Sequence, residues 1–344
     1  MAPDLAGRQA SRDLFELGAA MWNHLPRMGD AMRQVAIQRP QLTPLELSSL
    51  SAFLVTTQFF EPSGDSVKGS RVLADKGCVQ CHAVSGRGGS AGPPLDGLKR
   101  SNSPILMAAA LWNHGPLLAG AENARGIAWV PFRGMEVSDL VAYIGASSQQ
   151  TGPEPAPVVP GTPEQGERLL SERGCGQCHV VGKGTARPSG VRLASPGRRM
   201  RGSEFAGLMW NHGLRTSAAM KKRGLAPPRL TGPEMADIAA YLYTTSYLDV
   251  TREEARRGGE LVRQKGCLGC HTIYRKGGKT ASDLAIDNVV STSAGQVAAM
   301  WNHARLMEIK GYRQATLLPP LTGSEFAAIA AYLAALGSGP PKSK

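Results

Sequence analysis

Every cysteine in this 344-residue chain lies in one of three copies of a pentapeptide: Cys78-Val79-Gln80-Cys81-His82, Cys175-Gly176-Gln177-Cys178-His179 and Cys267-Leu268-Gly269-Cys270-His271. The seven histidines are spent almost as narrowly. Three close those pentapeptides. The other four, His24, His114, His212 and His303, each end a Trp-Asn-His tripeptide. A chain that confines its soft ligands to two patterns is built around metal chemistry, and its fold has to carry those side chains to their sites.

The two patterns interleave as a long repeat. The tripeptide tryptophans, Trp22, Trp112, Trp210 and Trp301, are 90, 98 and 91 residues apart, and the first cysteines are 97 and 92 apart. From first cysteine to tryptophan the distance is 34, 35 and 34 residues. A glycine stands nine residues before each first cysteine, at Gly69, Gly166 and Gly258. Glycine inside a helix costs about 1 kcal/mol relative to alanine, so its recurrence points to close approach of another backbone.

Helix signals fill each repeat. Thr162-Pro163-Glu164-Gln165 and Thr251–Glu254 read as capping boxes ahead of a pentapeptide. Ser203 and Ser293 read as caps of helices that carry Trp-Asn-His. Closing helices are announced by Thr43/Glu46, Thr231/Glu234 and Thr322/Glu325, more weakly by Arg133/Glu136, and carry Phe53, Tyr143, Tyr241 and Tyr332 at equivalent places. No alternating strand pattern stands out, so an all-α fold is expected. The apolar fraction of 42% is enough for packed cores, and Gly (41) with Pro (24) suggests long loops between short helices. Residues 151–160 read as a Pro-rich linker and 337–344 as a disordered tail.

In a helical turn, residues i, i+3 and i+4 share one side. Two thiols can then reach the two vinyl groups of one porphyrin while the adjacent imidazole meets its iron, which is the spacing of c-type haem attachment. A zinc site usually gathers two such pairs on one ion, whereas these pairs are about 95 residues apart, and a thioredoxin-like pair needs a strand–helix context absent here.

With these motifs the sequence resembles the class I c-type cytochromes, over nearly its whole length, as tandem domains. The markers are Cys-x-x-Cys-His after a short helix, the helix glycine nine residues upstream, and a closing helix with an aromatic such as Tyr241. The resemblance implies a crossing of first and last helices at the glycine and the aromatic. It also implies one haem in an apolar slot per domain, electron transfer, and attachment outside the cytoplasm. It makes Cys78, Cys81, Cys175, Cys178, Cys267 and Cys270 the attachment residues, and His82, His179 and His271 the proximal ligands. The expected organisation is an incomplete repeat over 1–62 and three haem domains over 63–150, 161–248 and 252–338, hence three haems c.

Class I cytochromes usually supply a methionine as sixth ligand, and here the pattern departs. Six residues after the tryptophan stand Met28, Leu118, Thr216 and Met307; ten after it stand Met32, Glu122, Met220 and Gly311. The only strong ligand at a fixed place is the tripeptide histidine, which favours the pairs His82/His114, His179/His212 and His271/His303. Two alternatives stay open. Trp-Asn-His is a packing and hydrogen-bonding cluster with Met220 and Met307 as ligands, or the Cys78 haem keeps an open position for small ligands.

Basic residues exceed acidic by 12. Three haems bring six propionates, leaving roughly +6. Arg198, Arg199 and Arg201 are candidate propionate partners. No nucleic-acid motif accompanies the charge, and an acidic redox partner is expected. The longest apolar stretch, 326–336, is too short to span a bilayer. The functional expectation is an electron relay, not an enzyme, in the periplasm or outside the cell. A haem-based sensor, a redox-enzyme subunit and a homo-oligomeric filament are alternatives. Four Trp-Asn-His halves against three pentapeptides, with no export signal at the start, suggest that a fourth pentapeptide and a signal peptide precede Met1; the alternatives are that His24 serves a haem of a neighbouring chain or that the first unit has lost its haem.

Overall fold

The computed structural model describes residues 13–56, 61–97, 103–124, 126–148, 160–181, 189–190, 192–193, 200–246, 252–285, 293–313 and 318–336. Four helices carry the tripeptides and are equally long: α1 (Leu14–Gln34), α4 (Pro104–Ala124), α7 (Gly202–Lys222) and α10 (Ser293–Arg313), 21 residues each. Four closing helices follow them: α2 (Pro44–Thr56), α5 (Glu136–Ser147), α8 (Gly232–Ser246) and α11 (Gly323–Leu336). Short helices α3 (Ser66–Asp75), α6 (Pro163–Glu172) and α9 (Arg252–Gln264) precede the three pentapeptides.

α3 packs on α5, α6 on α8 and α9 on α11. In each crossing the expected glycine lies against the partner backbone. A Cβ on Gly69, Gly166 or Gly258 would sit 2.0, 2.0 or 1.8 Å from the carbonyl oxygen of Asp139, Asp237 or Ala328, and 2.7 Å from the Cβ of Tyr143, Tyr241 or Tyr332. No other residue permits that approach.

Among the described residues two hydrophobic cores form, and each is shared. One draws on α3, α4 and α5 with α6, α7 and α8, through Leu73, Ile105, Val137, Ile144, Leu169, Trp210 and Met235. The other joins α1 and α2 to α9, α10 and α11, through Phe15, Leu25, Leu47, Val262, Trp301 and Phe326. Contacts within each are reciprocal: α4 lies on α7, α4 on α8 and α7 on α5, while α1 lies on α10, α1 on α11 and α10 on α2.

Several local expectations are corrected. Two hairpins of two-residue strands follow the first and third pentapeptides: β1 (Ala83–Val84) with β2 (Arg87–Gly88), and β3 (Thr272–Ile273) with β4 (Lys276–Gly277). Strands this short leave no alternation to read. Their turns carry positive φ at Ser85 and Gly86, and at Tyr274 and Arg275, the geometry that matches strand twist. Ser203 is not a cap. It lies one residue inside α7, and its N–H donates to Glu61, 142 positions earlier, at 3.1 Å. Thr162 does not close a capping box: its N–H donates to Asp237 on α8 at 2.7 Å, as that of Asp65 does to Asp139 on α5 at 2.8 Å. The boxes at Thr43, Thr231 and Thr322 hold, with each backbone N–H bonded to the glutamate three residues on. Thr251, residues 151–159 of the linker, the tail, Arg198 and Arg199 lie outside the described residues.

Candidate functional site

Each pentapeptide forms on a 3₁₀ turn behind a left-handed glycine. Gly77, Gly174 and Gly266, at φ 75°, 77° and 76°, end the preceding helix and reverse the chain into Cys78–Gln80, Cys175–Gln177 and Cys267–Gly269. The turn then closes on the histidine, whose N–H donates to the carbonyl of the first cysteine at 2.9, 2.9 and 3.0 Å. This brings Cys78, Cys81 and His82 together, and likewise Cys175, Cys178 and His179, and Cys267, Cys270 and His271. None of the six cysteines is in a disulfide, and all are half-buried. Burial pushes the Cys175 and Cys267 thiols above the ordinary range, so they stay protonated at neutral pH.

The imidazoles are oriented by the loop that follows. His82 Nδ1 donates to the Pro93 carbonyl at 2.8 Å, and His271 Nδ1 to that of Ser282 at 2.9 Å. That bond fixes the tautomer and leaves Nε2 as the nitrogen with a lone pair to offer a ligand. The loop presses close: a Cβ on Gly92 would lie 2.4 Å from the His82 ring, and one on Gly190 2.8 Å from that of His179. Among the described residues no three of His, Cys, Asp and Glu converge to hold a bare ion. Separate thiols flanking an oriented imidazole suit thioether attachment of a macrocycle, so the residues fit haem c.

A basic residue two positions before each first cysteine went unread in the sequence. Lys76, buried among apolar neighbours, donates to the Pro131 carbonyl at 2.8 Å and pairs with Glu136 at 2.7 Å. Lys265 does the same with the Pro320 carbonyl and Glu325, both at 2.9 Å, and Arg173 pairs with Glu234. Glu234 and Glu325 are also the capping-box glutamates. The Thr231 and Thr322 backbone N–H groups lower their pKa most, and Arg173 and Lys265 add to it. The pentapeptide half is thus pinned to the start of the closing helix three times. The signal was the spacing, basic–Gly–Cys, hidden among 39 lysines and arginines.

The Trp-Asn-His residues divide in two directions. Trp and Asn face the neighbouring half of the same core. Asn211 accepts from the Phe132 N–H and donates to the Phe132 carbonyl, both at 2.8 Å, while Trp210 Nε1 donates to the Val130 carbonyl at 3.1 Å. The return contact is the same: Asn113 grips both backbone groups of Leu230, and Trp112 donates to Pro228. In the other core Asn23 grips Leu321 with Trp22 on Pro319, and Asn302 grips Leu42 with Trp301 on Pro40. At two of these joints the residue before the accepting carbonyl covers the indole. Trp129 stacks on Trp210 at 3.7 Å and 13°, and Arg39 lies over Trp301 at 5.0 Å. The contacts are isologous, as in a two-fold dimer.

The histidines point elsewhere, two residues or about 200° round the helix from the tryptophan. Nδ1 of His24, His114, His212 and His303 donates to the carbonyl four residues back, at 2.8, 2.9, 3.2 and 3.1 Å. His114 and His303 are exposed and His212 half-buried. Met220 is buried, while Met28 and Met307 lie against the second core. Arg201 sits at the start of α7, where its N–H donates to Glu204.

The Cytochrome c family is matched over residues 66–148, which run from α3 to the end of α5. No curated protein matches the chain. No solved structure matches it either. Residues 66–148 are therefore a cytochrome c-like domain, all-helical apart from the β1–β2 hairpin and consistent with electron transfer. No helix among the described residues is long and apolar enough to cross a membrane.

Proposed function

We propose that the chain is a multihaem c-type cytochrome that relays electrons, with haem c linked at Cys78/Cys81, Cys175/Cys178 and Cys267/Cys270. In this reading 63–150, 161–248 and 252–338 are successive haem units, and 1–62 is a unit without a pentapeptide. The observation that carries it is one geometry found three times. A left-handed glycine opens the turn, a basic residue pins it to the closing helix, and a crossing glycine locks the first helix. One copy lies within the matched residues, and the other two have the same contacts.

A bound haem supplies a one-electron ferric/ferrous couple. The protein's part is to hold it. The cysteines anchor the ring covalently, and His82, His179 and His271 offer Nε2 from one side, with Nδ1 of His82 and His271 engaged by the loop. We assign His114, His212 and His303 as the residues that would also hold the iron, because an Nδ1 held by the helix carbonyl leaves Nε2 free in each. Trp and Asn of the tripeptide serve the joint between units, which leaves the histidine as its ligand. The shared core of units 63–150 and 161–248 makes that pair the natural site of fast exchange. The basic surface suits an acidic redox protein outside the cytoplasm, and we assign no catalytic turnover.

Near-infrared magnetic circular dichroism of the ferric protein tests the ligation. The proposal expects the bis-imidazole charge-transfer band and little carbon monoxide uptake on reduction. Methionine-ligated bands at every haem would overturn the histidine assignment, and stoichiometric carbon monoxide binding would overturn the relay reading in favour of a sensor.

A further inference from the structure

Helix α2 is the odd closing helix. In α5, the face that meets the haem-attachment half carries Glu136, Leu140 and Tyr143. Glu136 pairs with Lys76, Tyr143 meets Gly69, and Ile127 ahead of the helix lies 3.1 Å from where a Cβ on Gly77 would be. The corresponding residues of the first unit are Glu46, Leu50, Phe53 and Ile37. Leu140, Ile238 and Ile329 are each 4% exposed at the position where Leu50 is 46% exposed. Phe53 is 45% and Ile37 58% exposed. Glu46 makes its capping bonds to Thr43 and has no basic partner among the described residues. The opposite face of α2, with Leu47, Ser51, Ala52 and Val55, is buried on α8 and α10. The helix is thus firmly seated on one face and exposes Leu50 and Phe53, i and i+3 on the other, with Glu46 one turn before them and Ile37 exposed ahead of the helix, the kind of apolar exposure that marks an interaction site.

We propose that the α2 face, Ile37–Glu46–Leu50–Phe53, is the docking site of a fourth haem-attachment half borne by a polypeptide segment outside residues 1–344. The occupant's chemistry follows from the three interfaces present. It is an amphipathic helix with a glycine at the Phe53 crossing, a lysine or arginine that reaches Glu46, and a glycine against Ile37 just ahead of Cys-x-x-Cys-His. Charge and shape both select it: a basic residue answers Glu46, and only a glycine lets a helix cross at Phe53. The haem it carries would face α1, where His24 is exposed with Nδ1 held by Ala20 and Nε2 free. The inference rests on reading the pentapeptides as haem-attachment sites.

The test supplies the missing half from the chain itself. Residues 63–90 fused directly ahead of Met1 put a first cysteine 34 residues before Trp22, as Cys78 stands before Trp112. The fusion is expressed with a haem-attachment system. Amide exchange over residues 45–53 is compared with that of the unfused chain. The expected result is at least a tenfold slowing there together with one additional haem by mass. Phe53→Asp should restore fast exchange in the fusion while leaving the melting temperature of the unfused chain unchanged. Unchanged exchange in the fusion overturns the proposal. So does an unfused chain that sediments as a dimer with the α2 face already protected, since a second copy is then the occupant. A fusion with no haem at any pentapeptide instead overturns the haem reading itself, and one with haem only at the original three overturns the docking inference alone.

Discussion

Asn211 is the sharpest probe of how the halves of a core are joined. Its amide holds both backbone groups of Phe132, a residue only 6% exposed, at 2.8 Å each. Asn211→Ala removes both partners and leaves the groups in place. A buried backbone group without a partner costs about 1–3 kcal/mol, so two give about 2–6. Asn211 is itself half-buried, so water reaches one edge, and we expect a loss of about 3 kcal/mol. At about 2–4 °C per kcal/mol for a region of this size, the melting temperature falls by roughly 6–12 °C. Asn211→Asp separates the two bonds. The carboxylate still accepts from the Phe132 N–H but faces its carbonyl with a second oxygen, so at pH 7 the variant is as unstable as Ala. Protonation supplies an O–H that donates to that carbonyl. The Asp variant therefore recovers relative to wild type as pH falls toward the ordinary aspartate value of about 3.9, and the Ala variant does not. Urea unfolding followed by far-ultraviolet circular dichroism at pH 7 and near that value reads both. A loss below about 0.5 kcal/mol, in the range of a neutral surface change, would refute the clasp. So would identical pH behaviour of the two variants.

Gly166→Ala places a Cβ 2.0 Å from the Asp237 carbonyl and should force α6 off α8, with a loss of 3 kcal/mol or more, about that of severe overpacking, by the same unfolding assay. Burial raises the Glu61 carboxyl, so its contribution is present below the unfolded value and lost as pH rises through the raised one. Glu61→Gln keeps an acceptor for the Ser203 N–H and should be more stable than wild type at pH 7, with the difference vanishing near pH 4, as thermal melts across that range will tell. Glu234 and Glu325 are shifted the other way, so their contribution is present at neutral pH and lost as pH falls below the usual glutamate value of about 4.3. Arg173→Met and Lys265→Met should shrink the acid-induced fall in stability.

The all-helical fold and the cytochrome c-like character of residues 66–148 were legible because they rest on local chemistry. Cysteine spacing, threonine–glutamate caps and a recurring helix glycine act over a turn or two. What stayed hidden is long-range. Trp210 and Asn211 find their carbonyl partners about 80 residues away, and Trp22 and Asn23 find theirs nearly 300 away. The recurrence of Trp-Asn-His was plain, but recurrence alone does not say that two of its residues serve a joint and one points away. Helix α7 gained a distant cap from Glu61 in place of the expected serine, and Asp237 took the Thr162 N–H that a local glutamine was expected to take, because tertiary partners outbid local ones when they arrive prepositioned. Lys76 carries no local signal in the sequence, because its role rests on burial against Pro131 and Glu136, about 55 and 60 residues away.

Haem stoichiometry of the purified protein tests the central claim most directly. After expression with a haem-attachment system, intact mass under denaturing conditions should exceed that of the polypeptide by three haems, and tryptic peptides holding Cys78/Cys81, Cys175/Cys178 and Cys267/Cys270 should each carry one. A colourless protein of bare polypeptide mass, or one haem confined to the Cys78/Cys81 peptide, would contradict the account.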